Sequence, residues 1–150
     1  MVAAANPLAA EAGREILGKG GTAVDAAIAV QLMLGLVEPQ SSGLGGGAFL
    51  LHWDASAGRL ASYDGRETAP AAAKGDRFLS GGRPLPFERA VKSALSIGTP
   101  GVVLLLEHAH RRHGKLEWAE LFAPAIRLAE QGFTVSSRLH NLLLGTRPAS

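Results

Sequence analysis

Two helices are predicted from the spacing of apolar residues in the first quarter of the chain. Asn6 followed by Pro7 matches a helix N-cap with a proline in the first turn, and this helix is expected to end at the glycine pair 20–21. Thr22 is the predicted cap of a second helix, residues 22–35, whose surface is apolar almost all round. Such a helix must be buried. Alanine-rich surfaces permit close approach, so the two helices are expected to pack together or to sandwich a sheet.

Strand-like runs follow a cluster of glycines. Residues 48–53 and 59–63 are separated by a glycine-containing loop, 54–58, which predicts a β-hairpin. Residues 71–86 are rich in alanine, glycine and proline and are expected to form an irregular surface connection.

The last third is predicted to be helical. One helix is expected over residues 100–110 and a second over residues 116–130, in which Pro124 either introduces a kink or starts a new helix. A final amphipathic segment, residues 136–144, is expected to break at Gly145 and Pro148. No internal repeat or heptad pattern is present.

Composition narrows the class of protein. With 150 residues, 47% hydrophobic and 19% charged, the chain has the length and content of one globular, soluble domain. A net charge of +2 is too small to indicate a nucleic-acid partner, and the basic run 111–113 is interpreted as the end of a helix. The absence of cysteine excludes disulfides, thiolate catalysis and thiolate metal sites. No secretory signal and no apolar run of about 18 residues is found, and the sequence assigns no compartment.

The glycine cluster and the arginine after the hairpin form the main candidate site. Residues 41–47, Ser-Ser-Gly-Leu-Gly-Gly-Gly, allow close approach of backbone or ligand. Arg66 offers a planar fork of donors that matches a carboxylate, although an exposed salt bridge is the alternative interpretation. Glu67 either pairs with Arg66 or receives a substrate ammonium, and Asp64 either caps the turn or holds Arg66 in place.

Other glycine and serine motifs do not support a cofactor or a serine nucleophile. Residues 43–48 formally satisfy the dinucleotide fingerprint, but they follow a helix and lead into a strand, which is the reverse of the required order. Residues 18–22 lack the spacing of a phosphate-binding loop. Ser41 and Ser42 lack the nucleophile elbow and a neighbouring base, so turn or helix capping is expected.

The histidines are not spaced as metal ligands. His108, His110 and His113 do not form the i, i+4 pair of a helical zinc site and are interpreted as a solvated basic helix end. His52, which alternates with apolar strand residues, is expected to be a hydrogen-bonded packing residue. The sequence therefore predicts neither a metal nor a cofactor.

The order of motifs resembles the gamma-glutamyltransferase (gamma-glutamyltranspeptidase) family, including its acylase-like branches. The likeness covers nearly the whole chain. Its segments are residues 1–9, 20–27 (Gly-Gly-Thr-Ala-Val-Asp-Ala-Ala), 39–47 (Pro-Gln-Ser-Ser-Gly-Leu-Gly-Gly-Gly), 64–70 (Asp-Gly-Arg-Glu-Thr-Ala-Pro), 98–101 and 124–133.

This resemblance implies an α+β fold: part of the αββα sandwich of an N-terminal-nucleophile hydrolase, mostly helical here with one β-hairpin. Residues 1–150 then form the first, incomplete part of the large subunit of a precursor that cleaves itself. In the family, a threonine at the start of the small subunit attacks the gamma-glutamyl amide, and its α-amine serves as base. None of this chain's threonines lies in the expected cleavage motif, so no catalytic residue is assigned here. The implied partners are the rest of the large subunit, the small subunit and a gamma-glutamyl substrate such as glutathione.

Arg66 matches the family's substrate arginine, which binds the glutamyl α-carboxylate, and Glu67 is taken as a second substrate-binding residue. Three positions depart from the family pattern. Thr22 replaces an asparagine and Ala48 replaces a glycine, and both replacements are interpreted as tolerable structural departures. Gly65 stands where the best-known members have a bulkier residue, which leaves the acyl group open.

The first interpretation is a gamma-glutamyltransferase fragment that is inactive in isolation. Two alternatives to it remain. One is a catalytically inert anion-binding or partner module, although the apolar helix 22–35 requires covering that a short chain lacks. The other is a related amide acylase. A nucleotide-binding domain is not supported by the reversed glycine order.

Overall fold

The computed structural model describes residues 1–145, which form helices around one β-hairpin and a second, very short one. The α-helices and strands are α1 (Pro7–Gly18), α2 (Ala23–Val37), β1 (Ala48–Asp54), β2 (Arg59–Gly65), β3 (Leu79–Ser80), β4 (Arg83–Pro84), α3 (Phe87–Val91), α4 (Val102–His113), α5 (Ala123–Gln131) and α6 (Ser137–Gly145). Short 3-10 turns occupy Ala94–Ser96 and Trp118–Phe122.

Helix α1 begins as predicted and packs closely on α2. The Asn6 side chain accepts a hydrogen bond from Leu8 N at 3.0 Å, and Pro7 occupies the first turn. The helix ends at Gly18, two residues before the predicted glycine pair. A Cβ at Gly13 of α1 would lie 2.7 Å from Val30 Cγ2 of α2, which confirms the close approach expected of small residues.

Helix α2 lies at the centre of the described core. Thr22 and Asp25 form a capping box, in which Asp25 N donates to Thr22 Oγ1 and Thr22 N donates to Asp25 Oδ2. The helix continues to Val37 rather than ending at residue 35, because Gly35 keeps helical geometry. One face of the helix is exposed within residues 1–145, at Ala23 and Ala27.

The predicted hairpin is confirmed and is longer than expected. Strands β1 and β2 pair antiparallel from Ala48 opposite Gly65 to Asp54 opposite Arg59. Asp54 Oδ1 accepts hydrogen bonds from Ser56 N and Ala57 N in the connecting loop. Because β2 runs to Gly65, the next residue, Arg66, stands directly at the end of a strand.

The two faces of the hairpin differ in burial. One face packs on α4, with Tyr63 buried and Leu50 and Ala61 partly buried against the core. The other face is apolar and uncovered within residues 1–145. Its large side chains are 58% to 69% exposed: Phe49, Leu51, Trp53 and Leu60.

Two helices have different bounds in the structure from those predicted from the sequence. Helix α4 runs to His113, about one turn beyond residue 110, because the basic run 111–113 stays helical until Gly114. The predicted helix over 116–130 is not continuous, and of the two alternatives for Pro124 the start of a new helix is the one observed. The segment is a 3-10 turn followed by α5, with Pro124 in the first turn of α5, where a missing N–H costs nothing. Pro124 therefore starts a new helix.

The connection 71–86 is not wholly irregular. Strands β3 and β4 pair around Gly81 and Gly82, whose φ values of 58° and 75° suit glycine in a tight turn. Helix α6 starts one residue after the first residue of the predicted segment, and Ser136 Oγ accepts a hydrogen bond from Leu139 N. Gly145, the first residue of the predicted break, is still part of α6, and Pro148 lies outside the described residues. Among residues 1–145, every helix is too short or too polar to cross a bilayer.

Candidate functional site

Arg66 and Glu67 form a pair at the end of β2. The Arg66 guanidinium hydrogen-bonds to the Glu67 carboxylate, and Arg66 N donates to Asp64 Oδ1 at 2.9 Å. The Arg66 side chain is 62% exposed, whereas Glu67 is 29% exposed. Of the alternatives left by the sequence, local pairing of Arg66 with Glu67 and turn capping by Asp64 are the ones observed. The exposed guanidinium retains donors that face solvent.

The glycine cluster forms a floor beneath this pair. A Cβ on Gly47 would lie 2.6 Å from Gly65 O, 2.7 Å from Glu67 Oε2 and 2.8 Å from Arg66 Cα. Real Cβ atoms do not approach other heavy atoms so closely, so only glycine fits. The cluster also follows α2 and leads into β1, which confirms the reversed order that argues against a dinucleotide site.

Hydrogen bonds join this floor to the start of α4. Gly46 O accepts from Gly101 N at 3.1 Å and from Val102 N at 3.2 Å. A Cβ on Gly101 would lie 2.3 Å from Gly65 O. Three chain segments therefore meet backbone to backbone at Gly47, Gly65 and Gly101, and this contact fixes the main chain that carries Arg66.

Replacing Gly47 with alanine is expected to destabilise the fold by about 1–3 kcal/mol, because an added methyl group has no room and overpacking shifts backbone. The measurement is the urea midpoint followed by circular dichroism. Gly75→Ala is the matched control, since a Cβ there meets nothing within 4 Å. Equal midpoints for the two variants would contradict the tight floor.

A cavity of about 390 Å³ opens over the floor, bounded by Gly46, Gly47, Arg66, Glu67 and the side chains of Gln31 and Ser42. Gln31 Nε2 donates to Ser42 Oγ at 2.7 Å. A second cavity, of about 530 Å³, shares Arg66 and Glu67 with the first and extends to Arg77. The pair thus lies between the two cavities. A guanidinium, a carboxylate and a glycine floor together suit a small ligand that carries both a carboxylate and a positive charge.

The residues near the floor do not form a serine nucleophile. Ser42 Oγ accepts from Gln31, and Ser41 Oγ accepts from Arg138 at 3.3 Å. Neither hydroxyl has a histidine partner among the hydrogen bonds of residues 1–145. No group of three or more metal-ligating side chains lies close enough to hold a metal in that part of the chain.

The prediction of a solvated helix end is wrong for two of the three histidines of α4. His110, 17% exposed at its side chain, contacts Leu116 O at 2.9 Å and the Asp25 carboxylate at 3.5 Å. His113 stacks on His52 with ring centroids 3.9 Å apart, and its Nε2 hydrogen-bonds to Tyr63 OH at 2.6 Å. Burial, followed by the nearby His52 and Arg112 charges, lowers the pKa of His113 below its ordinary value. The His113 ring joins α4 to the hairpin, and the His110 ring joins α4 to the first turn of α2.

Sequence reasoning missed two residues that line the cavities. Gln31 is the one strongly polar residue in the middle of the apolar run of α2, which is a signal that a partly buried amide has a partner. Arg77 lies in the segment assigned as an irregular connection, where no periodicity indicates which way a side chain points.

Comparison with known proteins gives concordant results. Residues 9–147 match the family model for gamma-glutamyltranspeptidase. The glutathione hydrolase proenzyme of Bacillus subtilis (strain 168) is 43% identical over 140 residues, which are 93% of this chain and 24% of that protein. The chain thus spans about a quarter of the length of this curated relative.

Solved structures match the fold closely. The gamma-glutamyltranspeptidase from Pseudomonas nitroreducens, complexed with L-DON, superposes with a TM-score of 0.90 at 37% identity, covering 96% of this chain and 42% of that one. The cephalosporin acylase from Bacillus halodurans gives a TM-score of 0.73 at 33% identity, covering 89% of this chain and 24% of that one.

Proposed function

This chain belongs to the gamma-glutamyltranspeptidase family, and from that premise we propose that it supplies part of an enzyme that cleaves gamma-glutamyl amides and transfers the acyl group to water or an amino acceptor. Its fold is part of the α+β fold of N-terminal-nucleophile hydrolases, which the gamma-glutamyltranspeptidases and acylases share. Residues 1–150 correspond in this proposal to the N-terminal segment of the large subunit, with glutathione as a representative substrate.

The observation that carries the proposal is the pair Arg66 and Glu67 above the glycine floor. In this proposal the Arg66 guanidinium, which is 62% exposed at a strand end, binds the α-carboxylate of the glutamyl group. The Glu67 carboxylate beside it provides a counter-charge for the substrate ammonium or for Arg66 itself. A charged pair of this kind complements an α-amino acid, which carries one charge of each sign.

The nucleophile of the proposed reaction is a threonine outside this sequence, freed when the precursor cleaves itself. Its hydroxyl attacks the gamma-carbonyl, its α-amine takes the hydroxyl proton and passes a proton to the departing amine, and an ester intermediate remains. Water or an amine then displaces the threonine oxygen. In this chain Thr22 is occupied as a helix cap, and Thr68 and Thr99 are joined by backbone hydrogen bonds. The Bacillus relative is named a proenzyme, which supports the formation of the active enzyme from a precursor.

The uncovered face of the hairpin supports the proposal that other parts of a longer protein pack here. Its four large apolar side chains, from Phe49 to Leu60, lie on one side of a two-stranded sheet that is too small to be stable alone. In the αββα arrangement this face meets a second sheet. We therefore propose the rest of the large subunit and the small subunit as the partners of this chain.

The acylase branch is the second candidate, favoured by the likeness to the cephalosporin acylase. Gly65, the departure that left the acyl group open, bears on this choice. A Cβ there would lie 2.6 Å from Leu105 Cβ, so a larger residue would point into the α4 contact and not into the cavity over the floor. This geometry removes one reason to expect an altered acyl pocket and supports a gamma-glutamyl donor.

Release of 4-nitroaniline from gamma-glutamyl-4-nitroanilide tests the proposed function. We expect turnover by the complete enzyme that contains this chain and none by the isolated 150 residues. Glutaryl-4-nitroanilide, which lacks the α-amino group, is the control donor. Preference for the glutaryl donor would favour the acylase branch, and release by the isolated chain would contradict the assignment of the nucleophile to another segment.

A further inference from the structure

We propose that Arg77 is a specificity-determining residue that binds a second carboxylate, carried by the leaving group of the acyl donor. This inference rests on the proposed function and deepens it. It predicts a preference for gamma-glutamyl compounds whose amine portion is anionic, such as peptides with a free C-terminus, over those whose amine portion is neutral.

The first step is the continuity of the site. The cavity of about 530 Å³ contains Arg66 and Glu67 at one part of its wall and Arg77 at another. The same Arg66 and Glu67 also border the cavity over the glycine floor. A donor whose glutamyl group is bound at Arg66 therefore has adjoining space for the atoms beyond its amide, and that space includes Arg77.

The second step is the way Arg77 is held. Its Nε donates to Leu95 O at 2.6 Å, and its side chain is partly buried in an otherwise exposed stretch. Within residues 1–145 no carboxylate forms an ion pair with it. The hydrogen bond through Nε fixes the guanidinium and leaves both terminal nitrogens to bind a ligand. A guanidinium that is already held loses less conformational freedom on binding.

The third step is the charge and polarity of the cavity. The Glu67 carboxylate compensates the charge of Arg66, so the uncompensated charge among the residues that line the cavity of about 530 Å³ is that of Arg77. Phe78, Leu95 and Ile97, which are 39% to 64% exposed, give the wall between the charges an apolar character. A ligand that fits carries an amino-acid end, a less polar middle and a second carboxylate. Arginine binds carboxylates through two parallel hydrogen bonds, which makes an anion the favoured occupant.

Two chromogenic donors that differ by one carboxylate test this inference in the complete enzyme that contains this chain. The probes are gamma-glutamyl-4-nitroanilide and gamma-glutamyl-3-carboxy-4-nitroanilide. For Arg77→Gln we expect kcat/KM to fall about tenfold for the carboxylated donor and to stay within about twofold for the neutral donor, since one charge-assisted contact is removed. Arg83→Gln is the matched control: it removes the same charge from an exposed arginine of β4 that lines neither cavity.

The outcomes separate the inference from the proposed function. Selective loss on the carboxylated donor, with Arg83→Gln unchanged, supports a carboxylate contact at Arg77. Equal effects of Arg77→Gln on both donors, or no effect on either, would overturn the role of Arg77 while leaving the proposed function intact. Absence of turnover of both donors by the unmodified enzyme would overturn the proposed function, and the inference with it.

Discussion

Arg66→Ala in the complete enzyme is expected to lower kcat/KM for gamma-glutamyl-4-nitroanilide by about 100-fold. The change removes a charge-assisted, two-point contact to the donor carboxylate, which corresponds to a loss of about 3 kcal/mol. It also leaves Glu67 without its cationic partner, so the site acquires a negative charge that repels the donor. The measurement is initial-rate kinetics over a range of donor concentrations.

Two variants separate the guanidinium from the charge alone. Arg66→Lys keeps the positive charge but lacks the planar fork, and an intermediate loss of about tenfold is expected. Arg59→Ala, at the exposed opposite end of β2, removes an arginine that lines neither cavity and is expected to retain full activity. Equal activity of Arg66→Ala and Arg59→Ala would show that Arg66 is only a surface ion pair.

The core of the site was predictable because its signals are local in sequence. Consecutive glycines at residues 45–47 indicate a close backbone approach, and the predicted strand 59–63 leads towards Arg66, although the structure extends that strand to Gly65. The structure adds which segments make that approach. Gly47, Gly65 and Gly101 meet although they are far apart in the chain, and no periodic pattern encodes such a meeting.

Residues whose roles depend on tertiary placement were missed or assigned wrongly. Arg77 acquires its position from Leu95 O, eighteen residues along the chain and in a different element. His110 and His113 were assigned to solvent from their charged neighbours, yet they reach back to Asp25 and Tyr63. A polar side chain near a helix end can contact either solvent or another part of the protein. Which of these it contacts depends on the residues that the fold brings next to it.

The two ends of α4 connect the site to the core. At the first end, Gly101 N and Val102 N are held by Gly46 O of the glycine floor. At the other end, the loop after the helix is held by the carboxylate of Asp25, which belongs to the first turn of α2. Loss of the second attachment therefore affects the stability of the element on which the floor depends.

Asp25→Ala is expected to lower the free energy of unfolding by about 3–5 kcal/mol, a large share of the 5–15 kcal/mol typical of a domain. The Asp25 side chain is fully buried and accepts hydrogen bonds from Thr22 N at 2.8 Å, Lys115 N at 3.0 Å and Leu116 N at 3.3 Å. His110 Nε2 lies 3.5 Å from its other oxygen. Alanine would leave these donors without their acceptor and a void in the core. The measurement is urea unfolding followed by circular dichroism.

A graded series distinguishes the buried carboxylate from ordinary helix capping. Thr22→Ala removes the Oγ1 that accepts from Asp25 N but keeps the carboxylate, and a cost of only about 1 kcal/mol is expected. Asp25→Asn keeps one acceptor oxygen and is expected to fall between Thr22→Ala and Asp25→Ala, because one of its two positions becomes a donor facing other donors. If Asp25→Ala cost no more than Thr22→Ala, the contacts to Lys115 and Leu116 would contribute nothing, and the attachment of α4 to α2 would have to come from apolar packing alone.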